Sequence, residues 1–229
     1  MRNFIKHALI ATVLVAGVKA QDANQLLERA RLAAALQNTD LRGSIRGGGA
    51  KHHVSLFLRE ENIQFTTGEG NRRFHMRLGD DKAELFEIVG GKQAKFPSSK
   101  LSERIAGSDL TYEDLSMRFL YWPNATLLGE DVVDGHQCYK VQVMNPTRSG
   151  SYGTMWVWLH KKFGAFMQIE GFDRKGHRIK RFEVQDVMKL PNDTYTLSKM
   201  RVSTMSGSKA RSHSYLEFDK PTRPQLPRR

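Results

Sequence analysis

The chain has 229 residues, 39% of them apolar and 26% charged, with 36 Lys and Arg against 24 Asp and Glu and a formal charge of +12. That length suits one large β domain and leaves no obvious second one, while a single cysteine, Cys138, excludes an intrachain disulfide. Beyond the N-terminus no apolar run approaches the roughly twenty residues that a bilayer-spanning helix needs.

The first twenty residues combine Arg2 and Lys6, an apolar stretch from Ala8 to Val18 broken only by Thr12, and the small-residue ending Val18-Lys19-Ala20. This is the layout of a cleavable secretory signal. No cysteine follows the apolar stretch, so the mature chain beginning at Gln21 is expected to lack an N-terminal lipid anchor and to diffuse freely. Losing Arg2, Lys6 and Lys19 leaves 33 basic and 24 acidic side chains, a formal +9. Such a surplus suits transient contact with an anionic membrane surface or an acidic protein; nucleic acid is not expected outside the cytosol.

Asn24 to Leu36 places Leu26, Leu27, Ala30, Leu32, Ala33 and Leu36 at helical spacing, which predicts an amphipathic helix packed on a sheet. The period then changes to two. Leu41 to Ile45, His53 to Leu58, Ile63 to Thr67, Phe74 to Leu78 and Glu84 to Val89 read as short strands joined by glycine-, asparagine- and aspartate-rich turns. Pro97 interrupts them. Ser98 to Ile105, with Ser98-Ser99 as N-cap and Leu101 and Ile105 on one face, and Tyr112 to Tyr121 then read as two helical pieces.

After Pro123 the strand pattern resumes in Thr126 to Val133, His136 to Met144, Tyr152 to His160, Phe166 to Phe172, Ile179 to Val187, Tyr195 to Met205 and Ser212 to Phe218. Short antiparallel strands in this number, with few helices, predict a mainly β (α+β) fold built on one large curved sheet, not βαβ units. The domain reading is therefore a signal at 1–20, one β domain at 21–220, and a mobile Pro/Arg tail at 221–229. A monomer is expected.

Several strands are apolar on both faces. In Met155-Trp156-Val157-Trp158-Leu159 the odd and the even positions are all large, and Ala165, Met167 and Ile169 oppose Phe166 and Phe172 in the same way. Each such strand needs two burials, against helices on one side and against a second protein layer or an apolar ligand on the other. An acyl chain fits the second role, since each buried methylene contributes about 0.8 kcal/mol. Met155, Val157, Trp158, Met167, Ile169 and Met200 are the expected lining of such a cavity.

Catalytic patterns are not found. The histidines show no HExxH or Cys/His metal spacing, and there is no GxSxG elbow, P-loop or dinucleotide loop. Cys138, between Gln137 and Tyr139 in a predicted strand, reads as a buried thiol. Glu113 and Asp114 read as helix-start partners of the dipole. No catalytic residue, cofactor or metal is therefore expected.

Three stretches together resemble a known family. Gly107-Ser108-Asp109-Leu110-Thr111-Tyr112-Glu113-Asp114-Leu115 is similar to the GSD(F/L)(S/T)YEDL signature of bacterial outer-membrane lipoprotein-sorting proteins, the LolA-like group. Trp156 to Leu159, followed by Gly164 to Asp173 and Gly176, resembles that group's strand pair and its FD..G turn, and Ile179 to Val184 continues it. Two stretches depart from the pattern: Leu159-His160-Lys161-Lys162 is basic where an acidic turn is common, and the C-terminus is a Pro/Arg tail.

The resemblance implies a half-barrel covered by a few helices, with an apolar concave side for acyl chains. Gly107, Ser108, Asp109, Tyr112, Glu113, Asp114 and Leu115 would then be structural, with Asp109 capping the turn that holds Tyr112 and Leu115. The functional expectation is a periplasmic, non-enzymatic carrier. It would bind acyl chains of lipoproteins or lipids between a membrane-bound donor and an acceptor, for transfer toward the outer membrane. The alternative is an envelope sensor or scaffold whose curved sheet binds a protein.

Overall fold

The structure is a computed structural model that describes residues 23–31, 40–59, 62–67, 72–78, 83–190 and 195–221. The expected signal at 1–20, the end of the first helix from 32 to 36, and the tail from 222 onward lie outside the described residues.

Among the described residues there are thirteen strands, most of them built on alternation of apolar and polar residues: β1 (Asp40–Gly47), β2 (Ala50–Arg59), β3 (Asn62–Thr67), β4 (Arg72–Leu78), β5 (Ala83–Val89), β6 (Lys92–Lys95), β7 (Thr126–Val133), β8 (His136–Met144), β9 (Thr154–His160), β10 (Phe166–Phe172), β11 (Arg178–Lys189), β12 (Tyr195–Ser206) and β13 (Lys209–Phe218). They form one curved antiparallel sheet in the order β6-β5-β4-β3-β2-β1-β13-β12-β11-β10-β9-β8-β7. Two meanders, β1 to β6 and β7 to β13, thus lie side by side. Within the sheet they pair where β1 meets β13, from Gly43 opposite Phe218 to Arg46 opposite Tyr215.

The strand at Lys92–Lys95 is not legible in the sequence because Lys-Gln-Ala-Lys has no apolar alternation and all four residues are exposed. It forms because Gly90 and Gly91, both at positive φ, turn the chain back on β5. Its two lysines stand on an open edge, where charge discourages pairing with another sheet.

One face of the sheet carries the core. Val141, Val157, Ile169, Phe182 and Val202 stand opposite one another across β8, β9, β10, β11 and β12, and all five are buried. Each contributes about 1.5–3 kcal/mol relative to an exposed side chain. In the other meander Phe65 stacks on Phe74 at 4.8 Å, and Phe74 meets Phe96 and Tyr112.

Two segments cover this inner face. The helix over residues 23–31, α1, buries Leu27 and Ala30 and half-buries Leu26 of the expected stripe, and also buries Ala23, one residue before the expected start. The second segment runs from Phe96 to Ala125 and buries Leu101, Ile105, Leu110, Tyr112, Phe119, Leu120 and Trp122. It is less helical than its sequence suggests. Ser98–Lys100 is only a 3-10 turn with Pro97 before it and no side-chain cap. The backbone that would continue a helix to Ile105 pairs across the cover instead: Ile105 N–H donates to Leu110 O, Tyr112 N–H to Glu103 O and Glu113 N–H to Leu101 O. The second helical piece is α2 (Tyr112–Ser116), which Met117, at φ 44°, separates from a 3-10 turn over Arg118–Tyr121.

The second apolar face of β9 is covered by side chains of neighbouring strands. Trp156 and Trp158 point outward, and Lys140 Nζ lies 4.2 and 4.7 Å from their ring centroids. Phe172 packs at 4.5 Å against Trp156, whose Nε1–H donates to Gln142, while Trp158 Nε1–H donates to Asp131 at 2.9 Å. These contacts leave Trp158 buried and Trp156 and Phe172 half-buried, the lysine stem and the neighbouring ring taking the place of a second layer.

Candidate functional site: the covered inner face

The segment Gly107 to Leu115 is the polar fastening of the cover. Gly107, at φ 68°, turns the chain after Ile105, and Ser108 Oγ accepts the Leu110 N–H. Asp109 is buried and does not cap α2; the N-cap is Thr111. Thr111 Oγ1 accepts the Asp114 N–H at 3.2 Å and Asp114 Oδ2 accepts the Thr111 N–H at 2.8 Å, a capping box.

Asp109 reaches the sheet instead. Its carboxylate accepts from Thr204 on β12 at 2.5 Å and from Ser212 and Ser214 on β13 at 2.5 and 3.0 Å, and its own N–H donates to Ser214 Oγ at 2.9 Å. Lys180 Nζ, from β11, donates to the Asp109 carbonyl and lies 3.5 Å from Asp114 Oδ2. Tyr152 Oη–H donates to Asp114 Oδ1 at 2.5 Å. Burial and the Asp114 carboxylate push the Tyr152 phenol far up, so it remains a donor.

Tyr112 faces the other meander, where Arg72 donates to its Oη at 2.5 Å and also pairs with Glu87 at 2.8 Å. The nine residues therefore grip both meanders. Leu115 is half-buried against the core.

Glu113 is 1% exposed. Oε2 accepts the Ser151 N–H at 2.7 Å, while Oε1 has no hydrogen-bond partner among the described residues. A Cβ on Gly150 would stand 1.9 Å from that oxygen, so the loop leaves no room there for any larger residue. Burial raises the Glu113 carboxyl above the usual glutamate range, outweighing the Ser151 N–H and the charges of Arg118 and Arg174. The folded chain thus keeps this proton to higher pH than the unfolded chain. Stability from this group is fullest below the ordinary glutamate pKa and falls as pH rises through the raised one. Glu113→Gln is expected to abolish that decline, as read from melting temperatures between about pH 4 and about pH 8. Parallel profiles for the two proteins would refute this.

Of the expected lining residues, the structure brings four together on the inner face: Met155 and Val157 at 0% exposure, Ile169 and Met200, all members of the core. Met167 lies where the β9–β10 register shifts, half-buried. Trp158, 4% exposed, is on the opposite face. Trp122, which sequence patterning did not single out, is buried within the cover and lines a cleft beside β5 and β6. Lys180 was also missed. Its signal was there to read, because it shares the inward alternation of Phe182 and Val184.

Cys138 is buried, and burial raises its thiol pKa. Among the described residues no three or more His, Cys, Asp and Glu side chains gather where a metal ion could be held.

No curated protein is significantly similar to the chain. A family model described as "Uncharacterized protein" matches residues 79–227. Three solved structures share the fold. A putative outer membrane lipoprotein-sorting protein domain from Vibrio parahaemolyticus has a TM-score of 0.70 at 14% identity, covering 88% of this chain and 92% of that one. A DUF1329 family protein from Desulfovibrio piger has a TM-score of 0.68 at 15% identity, covering 88% and 91%. A LolA superfamily protein from Nitrosomonas europaea has 0.64 at 15%, covering 86% and 91%.

Proposed function

Because the chain belongs to the family matched over residues 79–227 and has the LolA-like fold, we propose that it is a non-enzymatic carrier of acyl chains in the bacterial envelope. The observation that supports this reading most is the way the inner face is closed. An apolar surface spanning the sheet is sealed by α1 and the Phe96 to Ala125 segment, and the latter is tied down by a few polar contacts centred on Asp109 and Asp114. Displacing the cover would expose Met155, Val157, Ile169 and Met200 to a lipid tail, and each buried methylene would return about 0.8 kcal/mol. The cargo is a lipid or the acyl chains of a lipoprotein. Transfer is toward the outer membrane, between a donor and an acceptor held in membranes, with the periplasm as the compartment and a cleaved signal as the route to it.

Mass spectrometry of organic extracts from protein purified out of its native compartment is expected to find bound acyl lipid in near-stoichiometric amount. Lipid-free protein that also fails to take up acyl chains from vesicles would reject the carrier.

One observation favours the second reading, a sensor or scaffold for a protein partner: with the cover in place Met155, Val157 and Leu159 are fully buried, so the closed molecule offers its outer face alone. Pull-downs with and without detergent separate the two, since a carrier's contacts depend on the acyl chain.

A further inference from the structure

Between the cover and the β5–β6 edge the fold leaves a cleft of about 340 Å³. That is within the range of roughly 300–1,000 Å³ seen for small-molecule sites. Leu85, Phe96, Leu101 and Trp122 line it, and all four are buried members of the core, so the cleft ends on the same apolar interior that the cover seals. Two cations line it as well. Lys95 has a side chain that is 74% exposed and pairs at 3.1 Å with Glu84, and Arg118 donates to Ser149 Oγ at 2.6 Å. A guanidinium has five N–H donors, so Arg118 retains capacity for an anion while holding Ser149.

An apolar floor with surplus positive charge is the chemistry of an anionic amphiphile. We propose, resting on the carrier reading, that this cleft is where such a molecule enters: its carboxylate or phosphate is received by Arg118 and Lys95, and its first methylenes lie against Trp122. The cover then has to yield only along one side, next to β6, for the tail to reach the inner face. The aromatic outer face built on Trp156 and Trp158 takes no part.

The placement of the three tryptophans gives a direct test. The Trp156→Phe/Trp158→Phe variant retains Trp122 as its one emitter, and Trp122→Phe retains the outer pair. Each is titrated with a bromine-labelled fatty acid and, separately, with vesicles of dibromo-phosphatidylglycerol, which distinguishes a free fatty acid from a membrane phospholipid as the source. Saturable quenching of Trp122 is expected with at least one of them, and none in Trp122→Phe. Arg118→Gln is expected to weaken binding of the brominated carboxylate about tenfold, the scale of one lost charged hydrogen bond, without affecting the corresponding brominated alcohol. If the double variant does not fold, the difference in quenching between wild type and Trp122→Phe supplies the same signal. Lipid uptake with Trp122 unquenched would overturn the entry site and leave the carrier reading standing. Failure to bind any acyl probe would overturn both.

Discussion

Asp109→Ala is expected to lower unfolding stability by about 1–3 kcal/mol, the scale of leaving a buried hydroxyl such as that of Ser214 without its acceptor. Three hydroxyls from β12 and β13 converge on this carboxylate, and all three lose their acceptor in the variant. Burial pushes the Asp109 carboxyl up, but Ser212, Thr204, Ser214 and Arg104 together outweigh it and hold the group below the usual aspartate range. With the folded pKa depressed, the group's stabilising contribution is present above the unfolded pKa, near 3.9, and is lost as pH falls through the lower folded value. The acid limb of the stability profile should therefore flatten in Asp109→Ala. Asp109→Asn, which keeps one acceptor oxygen, should fall between the two. Urea titrations measure the effect, and limited proteolysis within 96–125 reports whether the cover has loosened. A loss below about 1 kcal/mol would mean that the network does not hold the cover.

Gly43→Ala is expected to be comparably damaging for a different reason. A Cβ built there would stand 2.0 Å from the backbone oxygen of Glu217, on β13, and 2.9 Å from the Cα of Phe218. A backbone carbonyl in a strand cannot swing aside as a side-chain tip can, so the clash must open the β1–β13 seam. Overpacking of this kind costs typically about 1–3 kcal/mol, and the upper end is expected where the strand pairing between two meanders is only four register pairs long. Gly47→Ala provides a graded comparison, because its Cβ would meet Ser214 Oγ at 1.9 Å, a side chain that already serves Asp109. An unchanged urea midpoint for Gly43→Ala would show that the seam has slack.

The positions of most strands were legible because alternation is a local property: β7 to β13 can be read from residue type and turn chemistry alone, whereas the pairing of β1 with β13 cannot. The cover was not. Its hydrogen bonds run between Leu101–Ile105 and Leu110–Glu113, and nothing in Ser98 to Ile105 distinguishes a helix from a chain that pairs with residues further along the cover. The lining shows a subtler limit. Period two separates Met155 and Val157 from Trp156 and Trp158 but does not state which pair faces in, and size and aromaticity were a poor guide. Trp158 could face outward because Lys140 and Asp131, distant in sequence, cover it. The signature stands out in the sequence as one stretch, yet its partners Lys180, Tyr152, Thr204, Ser212 and Ser214 come from three strands and one loop.

The seam has a kinetic consequence. Arg46 and Glu217, ion-paired at 2.9 Å across it, are 171 residues apart in the chain. Each meander can zip hairpin by hairpin from local contacts, but β1 finds its second neighbour only after β13 exists. A chain emerging N-terminus first therefore presents β1 as an unpaired edge until β13 is out. Refolding should show a slow final phase that Gly43 variants lengthen, and this interval is when the protein is most open to aggregation or to the attention of a chaperone.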